Sequence, residues 1–182
     1  MALPSMLYRF QIELSDVDQG VYKSVDLRVA QHPSESHPYL LTRLLAFVLN
    51  EHEFLEMVAE GLSDPDAPAV RAVTPGGDIT LWIEVGNPSA RKLHKAAKAA
   101  RQVLVYTYKD PEPLLKDIRE NKVFHAESIG IWSIDQKFLQ AVAAKLERKN
   151  AWGIMVNDGS LTVSVGDWSE TTEMRKHDVL PA

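Results

Sequence analysis

An apolar run with a carboxylate at each end, followed at once by lysines, holds the residue types that a cation-assisted reaction at a strand end needs. The run is "DITLWIE", from Asp78 to Glu84, and "VGNPSARKLHKAAKAA" follows it. Residues 78, 80, 82 and 84 share one face of a regular strand. Six strand steps span about 20 Å, so the two acids meet on one cation only if the segment bends, bulges or turns. Asp78 follows Gly76 and Gly77 and also suits a turn. Glu84 stands at the carboxyl end of an expected interior strand, where open α/β sheets place ligands. A carboxylate there needs a partner, a metal or water.

On a helix opening at Ser89, Arg91, Lys95 and Lys98 fall at i, i+4 and i+7 and share a face, with Lys92 to one side. Such a face is ordinarily solvated surface; the alternative is that one amine bends over the strand end toward Glu84. A third acid, Glu35, lies in "AQHPSESHP", between His32 and His37, at the entrance to a long apolar helix. It suits the positive end of that helix. The two histidines could ligate a metal or simply be solvated. Arg43, on the otherwise apolar helix, is a candidate partner for one of these acids.

The elements that must position these groups follow from periodicity. Tyr8–Leu14 and Val21–Gln31 alternate apolar and polar residues and predict an antiparallel hairpin, turned by "SDVDQG". Ser36 caps a predicted helix that ends near Gly61. "SDPDAPAVRAVTPGG" reads as a loop. After the Asp78–Glu84 strand, "GNP" breaks the chain, and a helix runs from Ser89 to about Ala100. "QVLVYTY" and "SIGIWSI" predict strands, "DPEPLLKDIRENK" a short helix, and Asp135 the cap of the helix "QKFLQAVAAKLER". This alternation predicts βαβ crossovers and a parallel core. "WGIMVNDGSLTVSVGDW" predicts a second hairpin.

Composition narrows the chemistry. The 182 residues suit one domain, with 45% apolar and 25% charged residues. The net charge of -5 confines any polyanion site to a local basic patch. The absence of cysteine excludes thiolate metal sites, disulfides and cysteine nucleophiles. Oxygen donors favour Mg²⁺ or Mn²⁺. No apolar run reaches membrane-spanning length and no signal peptide is evident, so the expected compartment is the cytoplasm. There is no Walker loop, dinucleotide fingerprint or serine elbow.

The motifs "LRVAQHPSES", "LLTRLLAFVLN", "GGDITLWIEVGNP", "RKLHKA" and "VLVYTY", in this order, resemble the YaeQ family of bacterial proteins over nearly the whole of residues 1–182. The resemblance implies an α/β fold, a mixed sheet with helices around a PD-(D/E)XK nuclease-like core, plus flanking β-hairpins. In such nucleases an Asp, then an acid with a Lys two residues on, hold a divalent ion and an attacking water. Asp78 and Glu84 match the acids, but Gly86 stands where that Lys belongs. The resemblance therefore implies an amine from the neighbouring helix, Lys95 first and Lys92 second, and assigns Glu35 to the helical acid that many of these enzymes add. The implied ion is Mg²⁺ or Mn²⁺ on Asp78 and Glu84, with the Val85 carbonyl. The implied partner is nucleic acid on Arg91, Lys92, Lys95 and Lys98.

Two functions follow from different classes. One is a metal-dependent phosphodiesterase acting on nucleic acid; the other is a non-catalytic binding or transcription-related regulatory protein on the same fold. A small-molecule site between the long helix and the sheet is a third. The expected convergence is Glu35, Glu84 and Lys95 in one cleft.

Overall fold

A computed structural model describes residues 4–50, 52–58 and 62–180. The chain forms two mixed sheets and four helices. In the first sheet, β1 (Met6–Asp16) and β2 (Val21–Gln31) form the expected hairpin. Along β1, buried Tyr8, Phe10, Ile12 and Leu14 alternate with exposed Arg9, Gln11 and Glu13, as a sheet with one solvated face requires.

The helix α1 (His37–Val48) is shorter than the apolar stripe predicts. Asn50 ends it: its side-chain amide donates to the Ala46 carbonyl at 2.7 Å and to the Tyr106 hydroxyl at 3.0 Å. Leu55, expected on the helix, lies instead in β3 (Leu55–Met57), and Gly61 lies outside the described residues. The expected loop contains β4 (Val70–Val73), in which buried Val70 and Ala72 alternate with half-buried Arg71 and Val73. Then come β5 (Ile79–Val85), α2 (Ala90–Ala99) and β6 (Ala100–Thr107). They are followed by α3 (Glu112–Glu120), β7 (Gly130–Ser133) and α4 (Gln136–Ala143). Ser89 and Asp135 cap α2 and α4 as expected. The second hairpin is larger than predicted: β8 (Lys149–Asn157) and β9 (Ser160–Val165) continue into β10 (Trp168–Glu173), after which β11 (Arg175–His177) joins the other sheet.

The first sheet runs β10-β9-β8-β1-β2 and the second β11-β7-β6-β5-β4-β3. Strands β5, β6 and β7 are parallel, as the alternating elements predict. The core between the sheets takes Leu81 and Ile83 of β5 together with α1 and α4. A second core, under α2 and α3, takes Trp82 of the same strand with Leu93 and Ala96. β5 is thus buried on both faces, which explains its nearly continuous apolar run.

Leu93 is fully buried and is the largest side chain by which α2 enters the second core. Leu93→Ala is expected to lower unfolding stability by about 2–5 kcal/mol in urea titrations. A loss under about 1 kcal/mol would mean that α2 is held some other way.

Candidate functional site

Glu84 is the penultimate residue of β5, before Val85, with only 3% of its surface exposed. Residues 82 and 84 lie on one side of the strand, and the Trp82 indole N–H donates to Glu84 Oε1 at 2.7 Å. The Lys92 ammonium meets Oε2 at 3.0 Å and also donates to the Ala67 carbonyl at 2.9 Å. Both carboxylate oxygens are therefore engaged. Burial nonetheless pushes the Glu84 carboxyl above the usual carboxylate range; Lys92 and the indole oppose that rise without cancelling it. Gly86, two residues on, has φ of +84°, a conformation that disfavours a side chain. A lysine there would be strained, and the amine beside Glu84 comes from α2.

A second buried pair lies at the start of α1. Arg43 donates through Nε to Glu35 Oε1 at 2.9 Å and through Nη2 to Oε2 at 3.0 Å. Nη2 also donates to the Ala30 carbonyl, and the His32 backbone N–H donates to Glu35 Oε2. Burial is the largest influence on Glu35 and raises its carboxyl against the pull of Arg43. Tyr39, one helical turn before Arg43, lies within electrostatic reach of both pairs. Burial, then the Glu84 charge, push its phenol up to about 12. Tyr39 thus feels the charges of both pairs.

The remaining expected residues lie elsewhere. Asp78 closes the turn between β4 and β5, where its N–H donates to Thr74 Oγ1, and its carboxylate pairs with Arg101 in an exposed setting. The pairing of β4 with β5 shifts by one residue between Ala72 and Val73, a bulge within the run, but it does not bring Asp78 to Glu84. Lys95, the first choice for the amine, pairs with Asp66 at 3.0 Å, both more than half exposed. Its hydrogen bond and charge, with Arg91 and Lys92 behind, hold Asp66 below the usual carboxylate range. Lys92, the second choice, is the lysine at Glu84. His32 bonds Ser34 rather than joining a metal cluster.

Sequence reasoning missed three members of this neighbourhood. Trp82 was legible as the residue two before Glu84 on the same face. Tyr39 was legible at i, i+4 from Arg43. Asp66 sits in a Pro/Asp-rich connection that gave no sign of its position.

The donors expected for Mg²⁺ or Mn²⁺ were Asp78 and Glu84. Asp78 stands at the other end of β5, and Glu84 already holds an indole N–H and an ammonium. Among the described residues no three acids or histidines group as a metal site. The arrangement does not fit that ion. What it can do is hold a buried negative charge against a fixed positive one, with the Tyr39 phenol in electrostatic reach.

Because burial holds the Glu84 and Glu35 carboxyls high, the folded chain keeps their protons to higher pH than the unfolded chain does. Stability from these groups is fullest near the ordinary carboxylate pKa and below it, and falls as pH rises through their folded pKa. Urea titrations across that window should show a shallower fall in Glu84→Gln than in the wild type. Lys92→Met, which removes the opposing charge, should steepen the fall. Identical slopes in all three proteins would contradict the pairing. In a double-mutant cycle the two changes should couple by about 1 kcal/mol or more.

The comparisons with known proteins agree with this fold. The model of the family described as "YaeQ protein" matches residues 1–174. The chain is 28% identical over 165 residues to "Uncharacterized protein YaeQ" of Escherichia coli (strain K12), covering 90% of this chain and 91% of that protein. It is 27% identical, with the same coverage, to the Salmonella typhi protein of the same description. It is also similar to the crystal structure of YaeQ protein from Xanthomonas axonopodis pv. citri, with a TM-score of 0.87 and 28% identity over 96% of this chain and 98% of that one. The Pseudomonas syringae YaeQ crystal structure gives 0.86 and 28% over 96% and 97%. With one family model matching residues 1–174, nearly all of the described fold, the chain belongs to the YaeQ family.

Proposed function

We propose that this protein is a non-catalytic nucleic-acid-binding protein on a nuclease-like core, in which the Lys92 ammonium stands where a metal-dependent relative would hold a divalent cation. The observation that carries this reading is the position of Lys92 Nζ, 3.0 Å from Glu84 Oε2 and 2.9 Å from the Ala67 carbonyl. A carboxylate and a carbonyl oxygen are the hard donors that Mg²⁺ prefers. A tethered ammonium between them supplies the positive charge at no cost in ion affinity. It has neither the open coordination positions nor the Lewis acidity that would polarise a phosphodiester.

The nuclease-like core is supported by the order of elements. α1 is followed by the antiparallel run β3-β4-β5, and α2 then crosses to the parallel strand β6. Fold alone does not carry activity.

The binding surface in this reading is the outer face of α2. Arg91 and Lys98 are exposed and make no ion pair among the described residues, while Lys95 shares its charge with Asp66. Two or three cations of this kind meet a phosphate backbone weakly and without base readout.

Fluorescence anisotropy with labelled duplex DNA and single-stranded RNA tests the reading. Binding should weaken with salt with a slope of about -2 in log K against log salt, each phosphate contributing about -0.9. Arg91→Glu with Lys98→Glu should abolish it, and neither EDTA nor Glu84→Gln should change it. Failure to bind either polymer at low salt would overturn the assignment. Mg²⁺- or Mn²⁺-dependent cleavage that disappears in Glu84→Gln would put a phosphodiesterase in its place.

A further inference from the structure

On the other side of the six-stranded sheet from the Trp82–Glu84 pair, a cleft of about 480 Å³ opens between the two sheets. That volume is in the range of small-molecule sites. Its floor is apolar: Leu49, Leu104, Val156 and Met174 line it with the half-buried Trp132 indole.

Three neighbouring strands lay a row of different side chains across it. Tyr106 on β6 is in register with Trp132 on β7, and Trp132 is in register with Lys176 on β11. The Tyr106 hydroxyl oxygen accepts from Asn50, which leaves its proton free to donate. The exposed Lys176 ammonium lies 5.9 Å from the Trp132 ring centroid. The backbones of Tyr106 and Lys176 are thus two strand spacings apart, roughly 10 Å.

The end of β1 closes the cleft beside Tyr106 with Asp16, which is 2% exposed. Each Asp16 oxygen takes one hydrogen bond from Gln19, from the backbone at 3.0 Å and from the side chain at 3.1 Å. Asp16 makes no ion pair among the described residues, and each oxygen keeps a free lone pair. Asp16 and Tyr106 line the same cleft, and the Asp16 charge adds to the burial that raises the Tyr106 phenol. Buried carboxylates are ordinarily paired. Here the unused capacity faces a cleft.

We propose that this cleft binds a planar aminated heterocycle that also carries an anionic group, the pattern of a purine nucleoside monophosphate. The amine donates to Asp16, a ring nitrogen accepts from the Tyr106 hydroxyl, the ring lies on Trp132, and the anion meets Lys176. A flat ring on an indole, with an amine at one end and an anion at the other, satisfies the polar groups of the row without burying one unpaired.

Calorimetry with adenosine and inosine 5′-monophosphates tests the assignment, since they differ in an amine against a carbonyl at one ring position. Adenosine monophosphate should bind, with inosine monophosphate at least about tenfold weaker because a carbonyl would face Asp16. Adenosine, without the phosphate, should also bind more weakly. Lys176→Glu, an exposed change that leaves the core intact, should weaken adenosine monophosphate several-fold and leave adenosine unchanged. Asp16→Asn should erase the preference for the amine. No saturable binding of adenosine monophosphate at millimolar concentration would overturn the proposal. So would binding that Lys176→Glu leaves unchanged.

Discussion

A carboxylate sealed at the end of a central strand must be given partners, and much of this structure follows from satisfying Glu84. β5 is buried on both faces, so water cannot supply the missing hydrogen bonds. One oxygen is satisfied from the strand itself, by the indole two residues earlier. The other needs a cation, and that requirement fixes α2. The Ser89 cap starts the helix, Leu93 and Ala96 seat it in the second core, and Lys92 then lies at the edge of the buried stripe. The loop before β4 is drawn in as well, because Lys92 donates to the Ala67 carbonyl. A strand, a helix and a loop are tied together through one ammonium.

The Glu35–Arg43 pair repeats the arrangement at the start of α1. Arg43 is a buried cation in an apolar helix, and its fork matches the carboxylate at two points. Each buried pair, with its hydrogen-bond partners, is a small polar network inside an otherwise apolar centre. Such networks are costly when half satisfied, so each member constrains the others. That explains why the neighbourhood holds no slack for an ion: each strong acceptor on Glu84 and Glu35 already faces a donor.

Much of the fold was legible in the sequence, because the strands carry their burial pattern in two-residue alternation and the helices α2 and α4 announce their caps. The misplaced parts have physical causes. α1 was drawn too long because Leu55 and Val58 continue its apolar stripe, while the stop comes from Asn50 capturing a carbonyl. β4 was hidden by its length and its Pro-rich approach. At the site, Glu84 and its need for a lysine were legible, and helix geometry bears on which lysine. With Leu93 and Ala96 inward, Lys92 lies only about 40° from Ala96 around the helix and Lys95 about 100°, at 100° per residue. The inward stripe thus singles out Lys92, whereas the family's motif pointed to Lys95. Asp66 was not legible, because its place depends on where a loop without periodicity runs.

The central claim is that Lys92 is the resident cation of this strand end. Titration of Mn²⁺ followed by electron paramagnetic resonance tests it directly. The wild-type protein should leave Mn²⁺ free in solution. Lys92→Met should acquire weak Mn²⁺ binding, and Lys92→Met with Glu84→Gln should lose it again. A wild-type protein that holds one Mn²⁺ per chain, and loses it in Glu84→Gln, would contradict the account.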